Sequence, residues 1–218
     1  MKPKKLLVAA TSAEIMEICG QIEPYKVIEI GDNWSVLVTG VGIVPTVFHL
    51  TKVLSSNHFQ LVLNVGLAGA INRSLSIGQT VNIISDEFAF WGSEDNDDFL
   101  SVYNSGLLNA NEFPFTNEIL FPLKSEFDLP SIPKVSGLTV QTVTGSLKSI
   151  VLLQQHYQSD VESMEGAAVF YVANQLNIPA IQIRSISNYV EPRNRANWKI
   201  QEALSSLSTV IKPLLELK

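Results

Sequence analysis

Short apolar runs, each ending in glycine or a small polar residue, recur along the chain. They lie at residues 6–10, 34–40, 60–66, 81–85, 137–144 and 180–187. The runs 61–65 and 181–183 show little alternation between apolar and polar positions. Strands that are covered on both faces have this character, because helices shield each side of their sheet. The pattern therefore predicts buried strands flanked by helices.

Segments with helical character separate several of these runs. They lie at residues 12–20, 44–55, 147–155, 161–176 and 195–217. Ser12 is the predicted N-cap of the first segment, because a serine hydroxyl can accept from the backbone amides of a first helical turn. Strands that alternate with helices indicate an α/β layered domain with a largely parallel or mixed sheet. Residues 90–134 hold an acidic run and several prolines without a sustained period, which is typical of a functional lid or a poorly ordered excursion.

Composition narrows the class of protein. The 218 residues are 46% hydrophobic and 17% charged, which favours one domain, 1–218, with a large core. A net charge of −6 without any basic block argues against nucleic acid or an anionic membrane surface as a partner. A lone cysteine, Cys19, excludes an internal disulfide framework. The apolar stretch near the amino terminus is too short for a signal peptide or a membrane span, so we expect a cytoplasmic protein.

Small residues follow the predicted strand 61–65. Gly66, Leu67, Ala68, Gly69 and Ala70 come at the predicted carboxyl end of that strand. In open α/β sheets this edge is where ligands approach the backbone. The alternative is a glycine turn that serves only helix–strand packing.

Glu165 is an acidic residue among apolar neighbours. On a helix over 161–176 it lies on the apolar stripe, and Glu162 lies on the edge of that stripe. Because a buried carboxylate is costly unless partnered, both are candidates for a site. The alternative is a structural carboxylate that accepts from Arg184 or from backbone amides.

Polar groups also follow other strands. Glu14 lies in a helix start after the first strand, where acidic residues are common. Ser185 and Asn188 end the last strand, and Arg193 and Arg195 follow. Two arginines at a strand exit suit a carboxylate or a phosphate, although a solvated loop explains them equally well.

Two motifs carry a family resemblance. Residues 164–168 read Met-Glu-Gly-Ala-Ala and residues 184–188 read Arg-Ser-Ile-Ser-Asn, and Pro192, Arg193, Arg195 and Trp198 follow. In combination they resemble the nucleoside phosphorylase and hydrolase superfamily and, within it, the futalosine hydrolases. The resemblance implies a three-layer α/β/α sandwich around a mixed, partly barrel-like sheet. It also implies cleavage of the bond between ribose and purine, with release of hypoxanthine from futalosine in menaquinone biosynthesis.

The resemblance assigns roles to the matching residues. It implies that Glu14 activates the attacking water, that Glu165 binds the ribose hydroxyls above Met164, and that Asn188 meets the departing base. The remaining substrate-binding residues that we predict are Gly66, Leu67, Val140, Gln141, Thr142, Val143 and Glu162, with Arg193 or Arg195 on the carboxylate of the substrate's tail. Leu67 departs from the serine of related nucleosidases.

Two further departures narrow the reaction. Adenine-specific relatives carry aspartate at the position of Asn188, and an asparagine offers both a donor and an acceptor to a 6-oxopurine but no transferable proton. Phosphorylase relatives hold phosphate with arginines near the first strand's turn and at the position of Asn64, which are lacking here. Water is therefore the predicted nucleophile, since Glu14 would repel the anion.

The implied partners are few. We expect a small-molecule nucleoside substrate, no metal or organic cofactor, and a homo-oligomer, in the first place a homodimer, with Phe90 and Trp91 contributing to a neighbour's site. The nearest alternatives are a methylthioadenosine/S-adenosylhomocysteine nucleosidase or an aminodeoxyfutalosine nucleosidase. A phosphorylase and a non-catalytic nucleoside-binding protein on the same fold also remain open.

Overall fold

The computed structural model describes residues 4–96, 98–127 and 129–215. Within these ranges the chain forms twelve strands and five helices. The strands are β1 (Lys4–Ala9), β2 (Val27–Ile30), β3 (Trp34–Val38), β4 (Phe59–Ala70), β5 (Thr80–Phe88), β6 (Gly92–Asp95), β7 (Asp98–Ser101), β8 (Phe115–Thr116), β9 (Ile119–Leu120), β10 (Lys134–Thr139), β11 (Val161–Ser163) and β12 (Ala180–Tyr189). The helices are α1 (Ser12–Cys19), α2 (Ile43–Ser56), α3 (Leu147–His156), α4 (Gly166–Gln175) and α5 (Ile200–Leu215), and a 3-10 turn spans Arg195–Asn197.

Five strands close into a ring at the centre of the fold. β4 pairs with β11, β11 with β10 and β10 with β5, and β12 closes the ring by pairing with both β4 and β5. β12 runs parallel to β4 and antiparallel to β5, so the ring is mixed. From β4 the sheet continues through β1 and β3 to β2, and from β5 through β9 to β8. The predicted mixed, partly barrel-like α/β architecture is confirmed.

The inner strands are covered on both faces, as their uninterrupted apolar character predicts. In β1, Leu6 and Val8 belong to one buried cluster, whereas Leu7 and Ala9 belong to a second cluster on the other face. Successive side chains of a strand point to opposite faces, so each face must find its own apolar cover. Helices α2 and α4 pack together over one face, and α1 and α5 pack together over the other.

The N-cap of helix α1 lies one residue earlier than predicted. Thr11, and not Ser12 as predicted, is the N-cap, and its hydroxyl accepts from the backbone N–H of Glu14. The Glu14 side chain accepts in return from the backbone N–H of Thr11, which completes a capping box. The Ser12 hydroxyl instead donates to the Ile22 carbonyl at 2.8 Å. The capping box brings Glu14 back over the carboxyl end of β1.

The predicted helix 161–176 is wrong in its first turn. Residues Val161–Ser163 form β11, and α4 begins at Gly166 with Glu165 as its N-cap. The strand forms there because β10 and β4 offer hydrogen-bonding edges on both sides of it. Periodicity alone cannot show this, since the run is as apolar as the helix that follows. Glu165 is buried, but at a strand–helix junction and not on a helical stripe.

Other boundaries differ for the same reason. The small residues Gly66–Ala70 extend β4 instead of forming a turn, because β11 and β12 pair with them. The predicted strand 137–144 ends at Thr139. The irregular stretch 90–134 contains the hairpin β6–β7 and the short pair β8–β9. The predicted helix 195–217 divides into the 3-10 turn and α5, and residues 216–217 lie outside the described ranges.

Among the helices that the structure describes, we find none whose length and apolar character would let it cross a bilayer.

Candidate active site

A cavity of about 290 Å³ opens at the carboxyl ends of β1, β4 and β12. Its walls carry residues that directly follow β1, the second half of β4, the end of β12 and the junction between β11 and α4. Glu14, Glu162, Glu165 and Asn188 all line it. Four of the predicted site residues therefore meet in one place, although they are distant in the sequence.

Glu14 is held rigidly at one end of the cavity. Its Oε2 accepts from the backbone N–H groups of Ala10 at 3.1 Å and Thr11 at 3.0 Å. Its Oε1 accepts from the backbone N–H of Leu67 at 3.1 Å. A carboxylate fixed by three backbone donors on two elements has little freedom to rotate, which suits a group that must aim a reactant.

Gly66 lies behind this carboxylate and does not line the cavity. A Cβ at residue 66 would come 2.5 Å from Glu14 Oε1 and would overlap Nη1 of Arg184. No side chain fits there, so β4 carries a glycine where Glu14 and Arg184 approach the backbone. Predicted substrate-binding residue Gly66 thus makes room for the site, whereas Leu67 faces the cavity.

Glu165 enters from the opposite wall. Its Oε1 accepts from the backbone N–H of Gly42 at 2.8 Å, and its Oε2 lies 4.0 Å from Nη1 of Arg184. Burial raises the pKa of Glu165, against the charge of Arg184, which lowers it; the nearby Glu14 raises it further. The buried Glu165 carboxylate thus lies near the Arg184 guanidinium without a close ion pair.

Arg184, which the sequence suggests only as a structural partner, adjoins Glu165 in the structure. It is fully buried on β12, its Nε donates to Gln182 Oε1 at 3.0 Å, and its Nη2 donates to Asn64 Oδ1 at 2.5 Å. Its Nη1 has no hydrogen-bond partner among the described residues. An arginine inside the apolar run 180–187 was the available signal, because a guanidinium is almost never fully buried without partners.

Glu162 and Asn188 form the other end of the cavity, on either side of Gly69. A Cβ at residue 69 would lie 3.1 Å from Asn188 Nδ2 and 3.4 Å from Glu162 Cγ. Asn188 Oδ1 accepts from the Ser187 hydroxyl at 2.8 Å and Nδ2 donates to the Tyr189 carbonyl at 3.0 Å, which leaves the second N–H of the amide for a ligand.

Glu162 is a buried carboxyl with one free oxygen. Its Oε1 accepts from the backbone N–H of Thr144 at 3.2 Å, whereas the buried Oε2 has no partner in the described part of the chain. Burial raises the pKa of Glu162 to about 7, against the Thr144 hydrogen bonds, which lower it. The free oxygen is available to a donor on a bound ligand.

Apolar side chains cover the space between the two ends. Val140, Val143 and Met164 line the cavity, together with Trp198 from the segment before α5. Of the predicted purine-binding stretch, Gln141 instead lines a neighbouring cavity with Phe90 and Trp91, and Thr142 lines neither. β10 ends at Thr139, and of residues 140–143 only Val140 and Val143 face this cavity.

Arg193 and Arg195, predicted to meet the substrate's tail, do not reach this cavity. The Arg193 guanidinium lies 5.0 Å above the Trp198 ring, and its backbone N–H donates to the Gly145 carbonyl. Arg195 is exposed in the 3-10 turn that Asn194 caps. Both residues are exposed, and neither lines the cavity. In the part of the chain that the structure describes, no three His, Cys, Asp or Glu side chains are gathered as a metal site would require.

Comparison with known proteins shows the family. The sequence profile described as the Phosphorylase superfamily matches residues 11–216. The chain belongs to the phosphorylase superfamily. This superfamily member is 30% identical over 194 residues to the futalosine hydrolase of Streptomyces coelicolor, a match that covers 85% of this chain and 81% of the relative. The resemblance predicted from the two sequence motifs is thereby confirmed.

Other relatives of this superfamily member place it in the same group. A 5'-methylthioadenosine/S-adenosylhomocysteine nucleosidase of Haemophilus ducreyi is 29% identical over 163 residues, covering 72% of this chain and 68% of that protein. The solved structure of futalosine hydrolase from Helicobacter pylori strain 26695 superposes with a TM-score of 0.77 at 17% identity, over 98% of this chain and 97% of that one. At that identity the superposition shows the shared fold.

Proposed function

We propose that the protein is a cytoplasmic N-glycosyl hydrolase that cleaves futalosine to hypoxanthine and dehypoxanthine futalosine in menaquinone biosynthesis. The observation that carries the proposal is the pair Glu162 and Asn188 at one end of a cavity whose other end holds Glu14 and Glu165. The futalosine hydrolases among the relatives support the same substrate.

The carboxylate end of the cavity suits activation of water. Glu14 lines this end of the cavity and Nη1 of Arg184 has no partner among the described residues, so a water beside Glu14 could donate to the carboxylate and accept from the guanidinium. Glu14 removes a proton from this water as the water oxygen forms a bond to the anomeric carbon. A positioned base of this kind typically contributes about 10²–10⁴ in rate.

Glu165 and Met164 suit the sugar. Gly42 fixes one oxygen of Glu165, and the other remains for the ribose hydroxyls and for the positive charge that develops on the ring. Met164 lines the cavity beside it and offers an apolar surface to the sugar. The free Oε2 and the fixed Oε1 together orient the sugar relative to Glu14.

The base end of the cavity distinguishes 6-oxopurines from 6-aminopurines. As the bond from carbon to purine nitrogen breaks, its electron pair passes to the base, and the Asn188 amide can donate to that developing charge. The base then takes up a proton from solvent. Glu162 Oε2 needs a donor, which the N1–H of a 6-oxopurine supplies, whereas N1 of a 6-aminopurine is an acceptor. Hypoxanthine satisfies both residues.

Water is a better nucleophile than phosphate in this site. Two carboxylates, Glu14 and Glu165, face the reacting end and would repel an anion. The Asn64 side chain accepts from Arg184 and donates to the Val8 carbonyl. Two of the three guanidinium nitrogens of Arg184 donate to protein acceptors. The chain's other arginines are Arg73, Arg193 and Arg195, and all three are exposed and line other surfaces.

A second reaction has support from the Haemophilus ducreyi relative. A methylthioadenosine/S-adenosylhomocysteine nucleosidase, or an aminodeoxyfutalosine nucleosidase, would use the same Glu14 and Glu165 on a 6-aminopurine. It would leave Glu162 Oε2 opposite an acceptor, which costs binding energy while that carboxyl is ionised. For this reason futalosine is the preferred substrate.

We also propose a homodimer that takes a nucleoside as its small-molecule ligand. Val41 at the cavity, and Val44 and Phe48 on α2, are 53%, 71% and 61% exposed. Exposed apolar groups of this size next to a site are typical of a subunit contact. Phe90 and Trp91 lie beside the neighbouring cavity, from which they could reach a second copy. Light scattering coupled to size-exclusion chromatography tests the assembly.

The test of the reaction is base release followed by chromatography. Futalosine and methylthioadenosine are each incubated with the protein, with and without phosphate, and Glu14→Gln serves as the inactive control. We expect hypoxanthine from futalosine at a rate that phosphate does not change. Adenine from methylthioadenosine as the main product would overturn the substrate, strict dependence on phosphate would overturn the hydrolysis, and binding without turnover would indicate a nucleoside-binding protein.

A further inference from the structure

A chain of buried polar groups runs from the inside of the strand ring to the candidate active site. It begins at Asp86 on β5, which is 1% exposed. Asp86 Oδ1 accepts from the Thr139 hydroxyl at 2.9 Å, and Oδ2 accepts from Gln182 Nε2 at 3.0 Å. Neither Asp86 nor Gln182 lines the cavity. Buried polar groups of this kind are costly unless they are fully partnered, so their presence calls for an explanation.

Gln182 links Asp86 to the active-site arginine. Its Nε2 donates to the Asp86 carboxylate, and its Oε1 accepts from Arg184 Nε at 3.0 Å. A carboxylate only accepts and a guanidinium only donates, so the amide of Gln182 has one orientation that satisfies both neighbours. Asp86 therefore determines which end of the Gln182 amide faces Arg184.

The contacts of Arg184 then fix the plane of its guanidinium. Gln182 holds Nε, and Asn64 holds Nη2, so the remaining Nη1 faces the cavity-lining residue Glu165, 4.0 Å from its Oε2. A planar group with two of its three nitrogens anchored cannot turn the third away.

Two glycines preserve the space that these groups occupy. A Cβ on Gly166 would overlap both Asp86 Oδ2 and Gln182 Oε1, and a Cβ on Gly137 would lie 2.7 Å from Asp86 Oδ2. Gly166 directly follows Glu165, so the start of α4 is packed on the same polar pair. The backbone N–H of the next residue, Ala167, donates to the Thr139 hydroxyl at 2.7 Å.

We propose that Asp86 is a positioning residue for the hydrolytic reaction, which acts through Gln182 to aim Arg184 Nη1 at the water and at Glu165. The inference rests on the proposed function, in which Arg184 acts on the attacking water. Burial raises the pKa of Asp86 to about 6, against the Gln182 and Thr139 hydrogen bonds and the charge of Arg184, which lower it. The carboxyl is therefore ionised at an assay pH of about 8, where it also compensates the buried guanidinium.

Three variants test the proposal. In Asp86→Asn the new amide nitrogen opposes the Gln182 amide nitrogen, or it turns and the Thr139 hydroxyl loses its acceptor; the negative charge is lost in both cases. In Gln182→Met the link to Arg184 is removed. In the double variant Asp86→Asn/Gln182→Glu the amide and the carboxylate exchange places, and every hydrogen bond and the net charge are kept.

A displaced Arg184 affects the chemical step more than ground-state binding. We expect kcat to fall about tenfold or more in Asp86→Asn and in Gln182→Met, while KM stays within about threefold of the parent value. The exchanged double variant should recover kcat to within about threefold of the parent. A purely structural role would lower stability in the two single variants while kcat of the folded enzyme stayed at the parent value.

A matched control separates activity from stability. Asn174 is also buried, on α4 but near its far end, and its Nδ2 donates to the Phe121 carbonyl at 2.8 Å. Asn174→Leu should lower the thermal midpoint while kcat remains at the parent value. Asp86→Asn with kcat within about threefold of the parent, or a double variant no faster than Asp86→Asn, would overturn the proposal. If Asp86→Asn does not fold, Gln182→Met and the double variant carry the same comparison.

A measurement without turnover keeps the inference apart from the proposed function. The chain has four arginines, of which Arg73, Arg193 and Arg195 are exposed, so the slowly exchanging Nε–H signal in a nitrogen-15 spectrum belongs to Arg184. We expect this signal to shift and lose protection in Gln182→Met and to return in the double variant. An unchanged signal would overturn the positioning even with an active parent. A parent inactive on futalosine would overturn the proposed function, and the signal would still decide whether Asp86 orients Arg184.

Discussion

Glu165 Oε2 and Arg184 Nη1 approach to 4.0 Å inside the protein without a hydrogen bond between them. A buried ion pair that stops short of contact gives up direct attraction: Glu165 faces the cavity, and the buried Nη1 of Arg184 keeps a donor that no described residue uses. A ligand or water that enters between them gains a donor on one side and an acceptor on the other. The separation is therefore a feature of a site that must admit a reactant.

Glu165→Gln should lower kcat by about 10² or more. If the Gln carbonyl keeps the hydrogen bond from Gly42, its amide N–H₂ faces Arg184, so that two donors oppose each other and the charge that stabilises the sugar cation is lost. Steady-state rates of hypoxanthine release measure the effect. Met164→Leu keeps an apolar surface in the same wall and should retain kcat within about tenfold. Equal losses in both variants would contradict the role of the Glu165 charge.

Glu14→Gln should affect both activity and stability. Activity falls by about 10²–10⁴ because an amide cannot take the proton of water. Stability falls by about 1 kcal/mol, because the amide replaces one acceptor oxygen of the α1 capping box or of the Leu67 contact with a donor.

Ser146→Ala provides the control for this pair of effects. Ser146 caps α3 in an equivalent capping box but does not line the cavity. Its loss should cost about 1 kcal/mol in a urea titration and leave hypoxanthine release unchanged. Activity in Glu14→Gln at the level of Ser146→Ala would show that Glu14 is only a helix cap.

Asn188→Asp should change the preferred base. The ratio of kcat/KM for futalosine to that for methylthioadenosine should fall about tenfold or more, because a carboxyl can deliver a proton to an adenine leaving group. Glu162→Gln should lower the same ratio, since an amide can donate to N1 of a 6-aminopurine. Competition assays with both substrates in one vessel give the ratio directly. A ratio that stays constant in both variants would remove the argument for a 6-oxopurine.

Glu162 should also make stability depend on pH. Its pKa is raised from 4.5 to about 7 by burial, so the native state holds this proton more tightly than the unfolded chain does. This contribution to stability is complete below the ordinary pKa and is lost as the pH rises through about 7. Relative to the parent, the free energy of unfolding of Glu162→Gln should therefore increase by on the order of 3 kcal/mol between acid and alkaline pH. Urea titrations near pH 4.5 and pH 8 measure this, with exposed Glu94→Gln as the control. Parallel curves for parent and Glu162→Gln would contradict the buried carboxyl.

The sequence predicts most of the fold, because the inner strands can be recognised as apolar runs that need cover on both faces. It predicts less where a segment's partners decide its structure. Residues 161–163 are apolar enough for a helix, and only the edges of β4 and β10 make them a strand. Glu165 was correctly expected to be buried, but the helical stripe that suggested this does not exist at that position.

The candidate site, too, can be predicted only in part from the sequence. Glu14, Glu165 and Asn188 can be found because each lies near the end of a recognisable element or motif. The orientation of Arg184 depends on Gln182, two residues earlier on the same face of β12, and on Asp86, which is distant in sequence, so no local pattern reveals the whole chain of contacts. The sequence suggests Arg193 or Arg195 as the partner of a substrate carboxylate, whereas both are exposed outside the cavity, Arg193 over the ring of Trp198.

One strand sets the length of the site. Gly66 of β4 accommodates Glu14 and Arg184, and Gly69 of the same strand accommodates Glu162 and Asn188. Three residues of extended backbone span about 10 Å, and main-chain hydrogen bonds on both sides keep that length constant. The backbone of β4 thus fixes the distance between the pair Glu14 and Arg184 and the pair Glu162 and Asn188. An exchange of Glu162 or Asn188 would leave Glu14 and Arg184 in place, whereas an insertion or deletion between the two glycines would change the distance between the pairs.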